Sequence, residues 1–211
     1  MHRVLFPPRP VGKMLPTALP TYEKSGKWIV QRKFNGTRTL VHIHGDHICF
    51  QSRYGDDHKK FKETPALIRE FRSLNFQPDL EYWLDGEILD AKTSNPNYKN
   101  KIVLFDILQE GEYLFGSPNL LGRYEILQKI CNNPTQKEPA YGLALQVTNS
   151  IWLAENFSDN FKYHFEEFID KDEIEGLVLK KKDSVLDNVG AKYYEIPWQI
   201  RCRKPHKNYG F

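Results

Sequence analysis

The sequence predicts an α+β domain with largely antiparallel sheets flanked by helices. Short runs of β-branched and aromatic residues arrive in groups, stretches with helical apolar spacing separate those groups, and turn residues punctuate them. With 211 residues, 40% hydrophobic and 13% aromatic, the chain can fill one substantial core, which excludes disorder as a description of the whole.

Residues 1–26 read as an irregular, Pro-rich arm packing on the domain, broken by Pro7, Pro8, Pro10, Pro16 and Pro20. Residues 27–211 supply the domain. KWIVQRK, TRTLVHIH and HICFQSR read as strands, with His44-Gly45-Asp46 turning between the second and third. In HKKFKETPALIREFRSL the second half is helical, because Leu67, Ile68, Phe71 and Leu74 recur at helical spacing. YWLDGEILDA and KIVLFDILQ are two more strands joined by an Asn-rich loop. A helix over Asn119 to Ile130 places Leu120, Leu121, Tyr124, Leu127 and Ile130 on one face, and a second covers Ser158 to Ile169. IEGLVLKKK and PWQIRCRK are the last strands.

A formal charge of +3 permits a phosphate-rich partner without demanding one. The basic residues crowd late, at Lys180, Lys181, Lys182, Arg201, Arg203, Lys204 and Lys207, and by charge alone such a run is as readily a solvated face. Cys49, Cys131 and Cys202 are scattered, with neither a zinc-like spacing nor a disulfide framework. No apolar run approaches the roughly 20 residues that span a bilayer, and the start is too Pro-rich for a secretory leader. The expectation is a soluble, cytoplasmic protein in a reducing compartment, with no membrane partner and as a monomer.

Lys33-Phe34-Asn35-Gly36-Thr37-Arg38 joins a candidate nucleophile, a tight turn and a fork of phosphate donors. Alone it reads rather as a surface hairpin with two exposed cations. More follows in order. Ser52-Arg53-Tyr54-Gly55 closes the next hairpin, and Leu84-Asp85-Gly86-Glu87-Ile88 sets two carboxylates in an apolar strand, where a charge needs a partner or a metal. Phe105-Asp106 places a ring beside a charge. Glu175 and Lys180 bracket Gly176-Leu177-Val178-Leu179, and in Trp198-Gln199-Ile200-Arg201-Cys202-Arg203 the two arginines share a face.

This series resembles the motifs of the covalent nucleotidyltransferase superfamily: ATP-dependent DNA ligases, RNA ligases and mRNA capping enzymes. The matching motifs, KxDGxR, SRxG, a DGE strand, an FD strand, EGxVxK and a Trp-led basic strand, run from Lys33 to Arg203, and Lys13-Met14-Leu15 resembles a ligase lead-in. The resemblance implies a ligase adenylation domain of the nucleotidyltransferase (ATP-grasp-like) fold, with ATP and Mg²⁺ (or Mn²⁺) as cofactors and nicked duplex DNA, or RNA-containing ends, as partner.

It also implies roles. Lys33 attacks the α-phosphate and becomes linked to AMP, with Lys180 and Arg201 as catalytic cations at that phosphate. Arg38 addresses the ribose, Phe105 stacks on the purine, and Gln31 and Arg32 flank the nucleotide. Glu87 and Glu175 hold the metal and contact the nucleotide. Arg53, Lys181, Lys182, Arg203 and Lys204 are expected on nucleic acid, Arg53 also on the nucleotide, and Arg201 is preferred to Arg203 for the catalytic role. RNA end joining, guanylyl transfer and a retired end-binding module are the competing readings. Asn35 stands where the family has Asp, Arg replaces Lys at both basic positions of the last motif, and Gln31 replaces a base-reading Glu. The chain ends just after the last motif, where relatives continue into an OB-fold domain, so a minimal form is expected.

Overall fold

The computed structural model describes residues 5–89, 95–137, 142–168, 170–187 and 195–205. Lys207 and Ile169, named above, lie outside these. Eleven strands and four α-helices are present among the described residues: β1 (Arg9–Met14), α1 (Leu19–Lys24), β2 (Trp28–Phe34), β3 (Thr37–His44), β4 (His47–Ser52), α2 (Pro65–Arg72), β5 (Glu81–Leu89), β6 (Lys101–Glu110), β7 (Glu112–Tyr113), α3 (Leu120–Ile130), β8 (Leu145–Gln146), β9 (Ile151–Leu153), α4 (Phe161–Glu166), β10 (Ile174–Lys181) and β11 (Glu195–Arg203). The α+β class with mainly antiparallel sheets is what the sequence pattern predicts.

One sheet runs in the order β1-β11-β10-β2, the other β4-β3-β5-β6-β9-β8, with β7 on β6. Two pairings are parallel, β1 with β11 and β6 with β9. The stretch expected to be irregular therefore holds a strand. Pro10 does not prevent this, because β1 is an edge strand and an edge tolerates a missing N–H. Residues 16–18 and 19–24 follow as a 3₁₀ turn and a short helix, with Leu19 fully buried.

The main core lies between the second sheet and helices α2 and α3, where Phe71, Leu67, Leu127 and Ile130 meet Val41, Leu84, Ile88, Ile102 and Leu104. Burying one such side chain contributes about 1.5–3 kcal/mol, so this face fixes which side of the sheet is left for chemistry. Thr64 caps α2 by accepting from Leu67 N–H, and Asn119 caps α3 by accepting from Gly122 N–H.

The α3 face differs from the expected one. Leu121 is exposed, whereas Arg123 is fully buried beside Leu120, Leu127 and Ile130. Its guanidinium reaches Asp106 through Nε at 2.9 Å and Nη2 at 3.2 Å, and Nη1 donates to the carbonyls of Ser184 and Pro118. A buried arginine is tolerable only with such a full set of acceptors.

Candidate active site

Strands from both sheets converge on a cavity of about 590 Å³. Gln31 and Lys33 of β2, Arg38 of β3, Glu87 of β5, Phe105 of β6, Glu175 and Lys180 of β10, and Arg201 and Arg203 of β11 all line it, with Arg53 beyond β4. A candidate nucleophile, four guanidinium groups, a second lysine, two carboxylates and an aromatic ring thus share one enclosure.

Strand alternation explains most of this arrangement. Residues 31 and 33 share one face of β2, and Arg32 also borders the cavity. The Arg32 guanidinium binds the carbonyls of Leu143 at 2.8 Å and Gly142 at 3.0 Å, pairs with Glu167 at 3.0 Å and lies over the rings of Phe157 and Phe168. Arg32 borders the cavity, and its guanidinium is at the same time held by these two carbonyls, by Glu167 and by the two rings.

Two β-bulges break the alternation where the cavity needs it. On β10 the register passes from Ile174 opposite Phe34 to Gly176 opposite Lys33, so Glu175 is the extra residue. Regular alternation would put Glu175 on the face opposite Val178 and Lys180; the bulge brings all three to the cavity. Gly176 makes this possible with φ of 134°, and a Cβ there would collide with the Cys202 carbonyl oxygen. On β6 Asp106 stands opposite Asp85 and Leu104 opposite Gly86, leaving Phe105 as the bulged residue.

Lys33 Nζ donates to Glu175 Oε2 in a close contact, and Arg203 Nε lies 3.6 Å from the same oxygen. Gly36 N–H donates to Glu87 Oε1 at 3.2 Å, and a Cβ on Gly36 would meet the Ile88 carbonyl and Glu87 Cγ. Arg38 is gripped by buried Asp85 through Nε and Nη2, donates from Nη1 to the Pro8 carbonyl at 3.0 Å and sits 5.6 Å from the Phe105 ring. Burial alone would lower the Arg38 guanidinium, but Asp85 holds it above its ordinary value.

Lys180 is 2% exposed, donates to the Phe105 carbonyl at 3.2 Å and lies 5.0 Å from its ring centroid. Burial pulls its ammonium down to about 8 in spite of the opposing attraction of Asp106 and Asp85. Burial likewise opposes ionisation of Asp106, but Arg123 and Lys180 bring its carboxyl below the usual value. Arg201 is pulled down by burial and by Arg203, and its Nε is buried with no hydrogen-bond partner. An arginine held this way is a prepared site for an anion.

Gln31 commits its amide nitrogen to Asn156 Oδ1 at 2.7 Å and the Phe105 carbonyl at 3.4 Å. Asn35 donates from Nδ2 to the Asp172 carbonyl at 2.9 Å while its N–H binds the Glu173 carbonyl. The departure from Asp at this position thus has a local reason, because a carboxylate has no N–H to give. Lys181, Lys182 and Lys204 do not line the cavity: Lys181 pairs with Asp183 at 3.2 Å and Lys204 Nζ binds the Lys171 carbonyl.

Arg9 and Arg123, which carry no motif signal, also contribute. Arg9 of β1 lines the cavity, with its guanidinium 5.3 Å from the Tyr54 ring, and Asp85, Asp106 and Arg123 form the buried charge layer beneath it. Arg9 is invisible in a segment read as irregular. The Asp106–Arg123 pair spans 17 positions and two element types, so no local pattern announces it.

Residues 13–97 match the family model described as the ATP dependent DNA ligase domain. In structure the chain is similar to mycobacterial DNA ligase D complexed with ATP and MES (17% identity, TM-score 0.62, covering 94% of this chain and 60% of that one). It is also similar to the ligase domain of M. tuberculosis LigD (17%, 0.58, 93% and 58%) and to the ATP-dependent DNA ligase of bacteriophage T7 in complex with ATP (14%, 0.52, 91% and 67%). The chain thus spans about three fifths of the length of the first two. No curated protein matches the sequence. No helix among the described residues is long and apolar enough to cross a membrane.

Proposed function

We propose that this chain is an adenylation domain of the ATP-dependent DNA ligase kind, a reading supported by the match of residues 13–97 and by the fold, and that it seals nicks in duplex DNA through a Lys33–AMP intermediate. The observation that carries this reading is the convergence of Lys33, Arg38, Glu87, Phe105, Glu175 and Lys180, from five strands of two sheets, on one cavity. Complexes of two structural relatives with ATP support the choice of nucleotide.

In the first step Lys33 Nζ attacks the α-phosphorus, the bond to the β-phosphate oxygen breaks, and pyrophosphate leaves. The amine must be neutral to attack, and Glu175 is the nearest acceptor for the proton it sheds. Lys180 and Arg201 stand ready for the charge that builds on the α-phosphate oxygens, in a setting where buried cations act strongly. Phe105, pushed out by its bulge, offers a face to the purine. Arg38, fixed by Asp85, offers its remaining edge to the ribose. The oxygen of the Gln31 amide is left to accept from the adenine amino group.

Glu87 and Glu175 are hard oxygen donors on the wall that holds Lys33, a donor set that suits Mg²⁺ or Mn²⁺. Both now balance nearby positive charge or N–H groups, so their charge is available once Lys33 loses its proton. A divalent cation bound there would neutralise polyphosphate charge. In the later steps AMP passes from Lys33 to a 5′-phosphate, and a 3′-hydroxyl then displaces AMP. Arg53 and Arg203 on the cavity wall would meet the 5′-phosphate end, and Lys181, Lys182 and Lys204 outside it the flanking backbone. DNA is preferred to RNA because of the Ser52-Arg53-Tyr54-Gly55 hairpin and the family match.

The test is incubation with Mg²⁺ and ATP labelled at the α-phosphate, beside Lys33→Ala and a GTP lane, followed by transfer to nicked DNA and nicked RNA. Acid-labile label from ATP that is absent in Lys33→Ala and chases into sealed DNA supports the proposal. Label from GTP, or sealing of RNA alone, would overturn it.

A further inference from the structure

A second cluster of chemical side chains lies away from the cavity, on the β3–β4 hairpin. The sequence His42-Ile43-His44-Gly45-Asp46-His47-Ile48-Cys49 turns at Gly45, with φ of 56°, so that His42 faces Cys49 and His44 faces His47 across the strands. Alternation sends Ile43 and Ile48 into the core and gathers the three histidines and the cysteine on the other face. The donor atoms of His42, His47 and Cys49 all lie within 4.8 Å of one another.

His42 is held as a ligand would be. Its Nε2 lies 2.7 Å from Glu81 Oε1, and the carboxylate can only accept, so that nitrogen carries the proton. Gln109 Nε2 fixes the second Glu81 oxygen at 3.1 Å, and the ring stacks on Trp83 at 4.4 Å. The lone pair of Nδ1 is thereby aimed at Cys49 Sγ, 3.9 Å away. A carboxylate behind a histidine is the usual support of a metal-binding imidazole.

We propose that His42 Nδ1, His47 and Cys49 Sγ form a site for a borderline cation of the Zn²⁺ class, with His44 or water in the fourth position. Nitrogen and thiolate donors select this class over Mg²⁺ or Ca²⁺. Zn–N of about 2.0–2.1 Å and Zn–S of about 2.3 Å imply ligand separations of roughly 3.3–3.7 Å in a tetrahedron. Closing from 4.8 Å therefore needs only a small movement, and His47 beside the turn is exposed and able to make it. Binding releases the Cys49 thiol proton to solvent and clips the two strands next to their turn. The scattered cysteines gave no such signal, because the partners are histidines supplied across a hairpin.

The experiment is titration of the metal-free full chain with Co²⁺, read by its absorption, then displacement by Zn²⁺. The expected result is one equivalent of Co²⁺ with a thiolate-to-metal charge-transfer band. The band should be lost in Cys49→Ser and in His47→Ala, while Lys33 labelling in His47→Ala is unaltered. His47 is exposed, so that variant keeps the fold. Cobalt held by the cavity carboxylates would give no thiolate band. Absence of the band in the unaltered chain, or its persistence in both variants, would overturn the site.

Discussion

Glu175 reaches Lys33 from outside the regular ladder: Gly176 occupies the register position opposite Lys33, and Glu175 is the bulged residue beside it. The contact therefore depends on a backbone irregularity that only glycine at 176 permits, with φ of 134° against the Cys202 carbonyl. Gly176→Ala should destabilise the fold by roughly 2–4 kcal/mol, since strain and collision act together. Urea unfolding of the variant checks this, and its remaining folded fraction should label poorly.

Glu175→Gln keeps the shape and removes the proton acceptor. Labelling from ATP should slow by about 100-fold or more, with the unfolding midpoint nearly unchanged. Single-turnover label formation at saturating ATP measures it.

The Lys180 ammonium titrates near 8, below its ordinary 10.5, because burial favours the neutral form. Two opposite trends follow. Labelling at low ATP should fall as pH rises through about 8, because the cation at the α-phosphate is lost. Stability from this group should grow between pH 8 and 10.5, because there the unfolded chain binds more protons than the folded one. Lys180→Met should label about 100-fold more slowly and show neither trend. A pH series of labelling and of urea unfolding reads both.

Asp106→Ala leaves Arg123 buried without its counter-charge and should cost about 3–5 kcal/mol. The pair Asp106→Asn with Arg123→Met should cost less than Asp106→Ala alone, since no buried arginine is left without its counter-charge. Denaturant unfolding of the two variants decides.

Asn35→Asp introduces the Asp of the motif that this segment resembles and removes the Nδ2 donor to the Asp172 carbonyl. The variant should be less stable by about 1 kcal/mol, by the same measurement. Greater stability would mean that the hydrogen bond is not what keeps Asn there.

The principal strands, and the helices α2 and α3, are legible in the chain because periodicity 2 and 3.6 are local properties that side-chain burial enforces. The cavity residues Lys33, Arg38, Glu87, Phe105, Glu175 and Lys180 are legible through the order of their short motifs, which resembles that of the covalent nucleotidyltransferases. Strand β1 escaped, because Pro10 and a parallel partner nearly two hundred positions away leave no local trace.

The sequence by itself thus determined the α+β class, the order of the motifs and the residue types brought to the cavity. Only the tertiary structure decided which way those residues point. Arg32 and Lys33 are neighbours in sequence, yet the Arg32 guanidinium pairs with Glu167 and the Lys33 ammonium with Glu175. Glu175 and Phe105 owe their aim to bulges, and Arg123 owes its burial to a carboxylate on another element. Residue type follows from local chemistry, whereas direction and charge pairing follow from register between strands distant in sequence, which is set when the whole core closes.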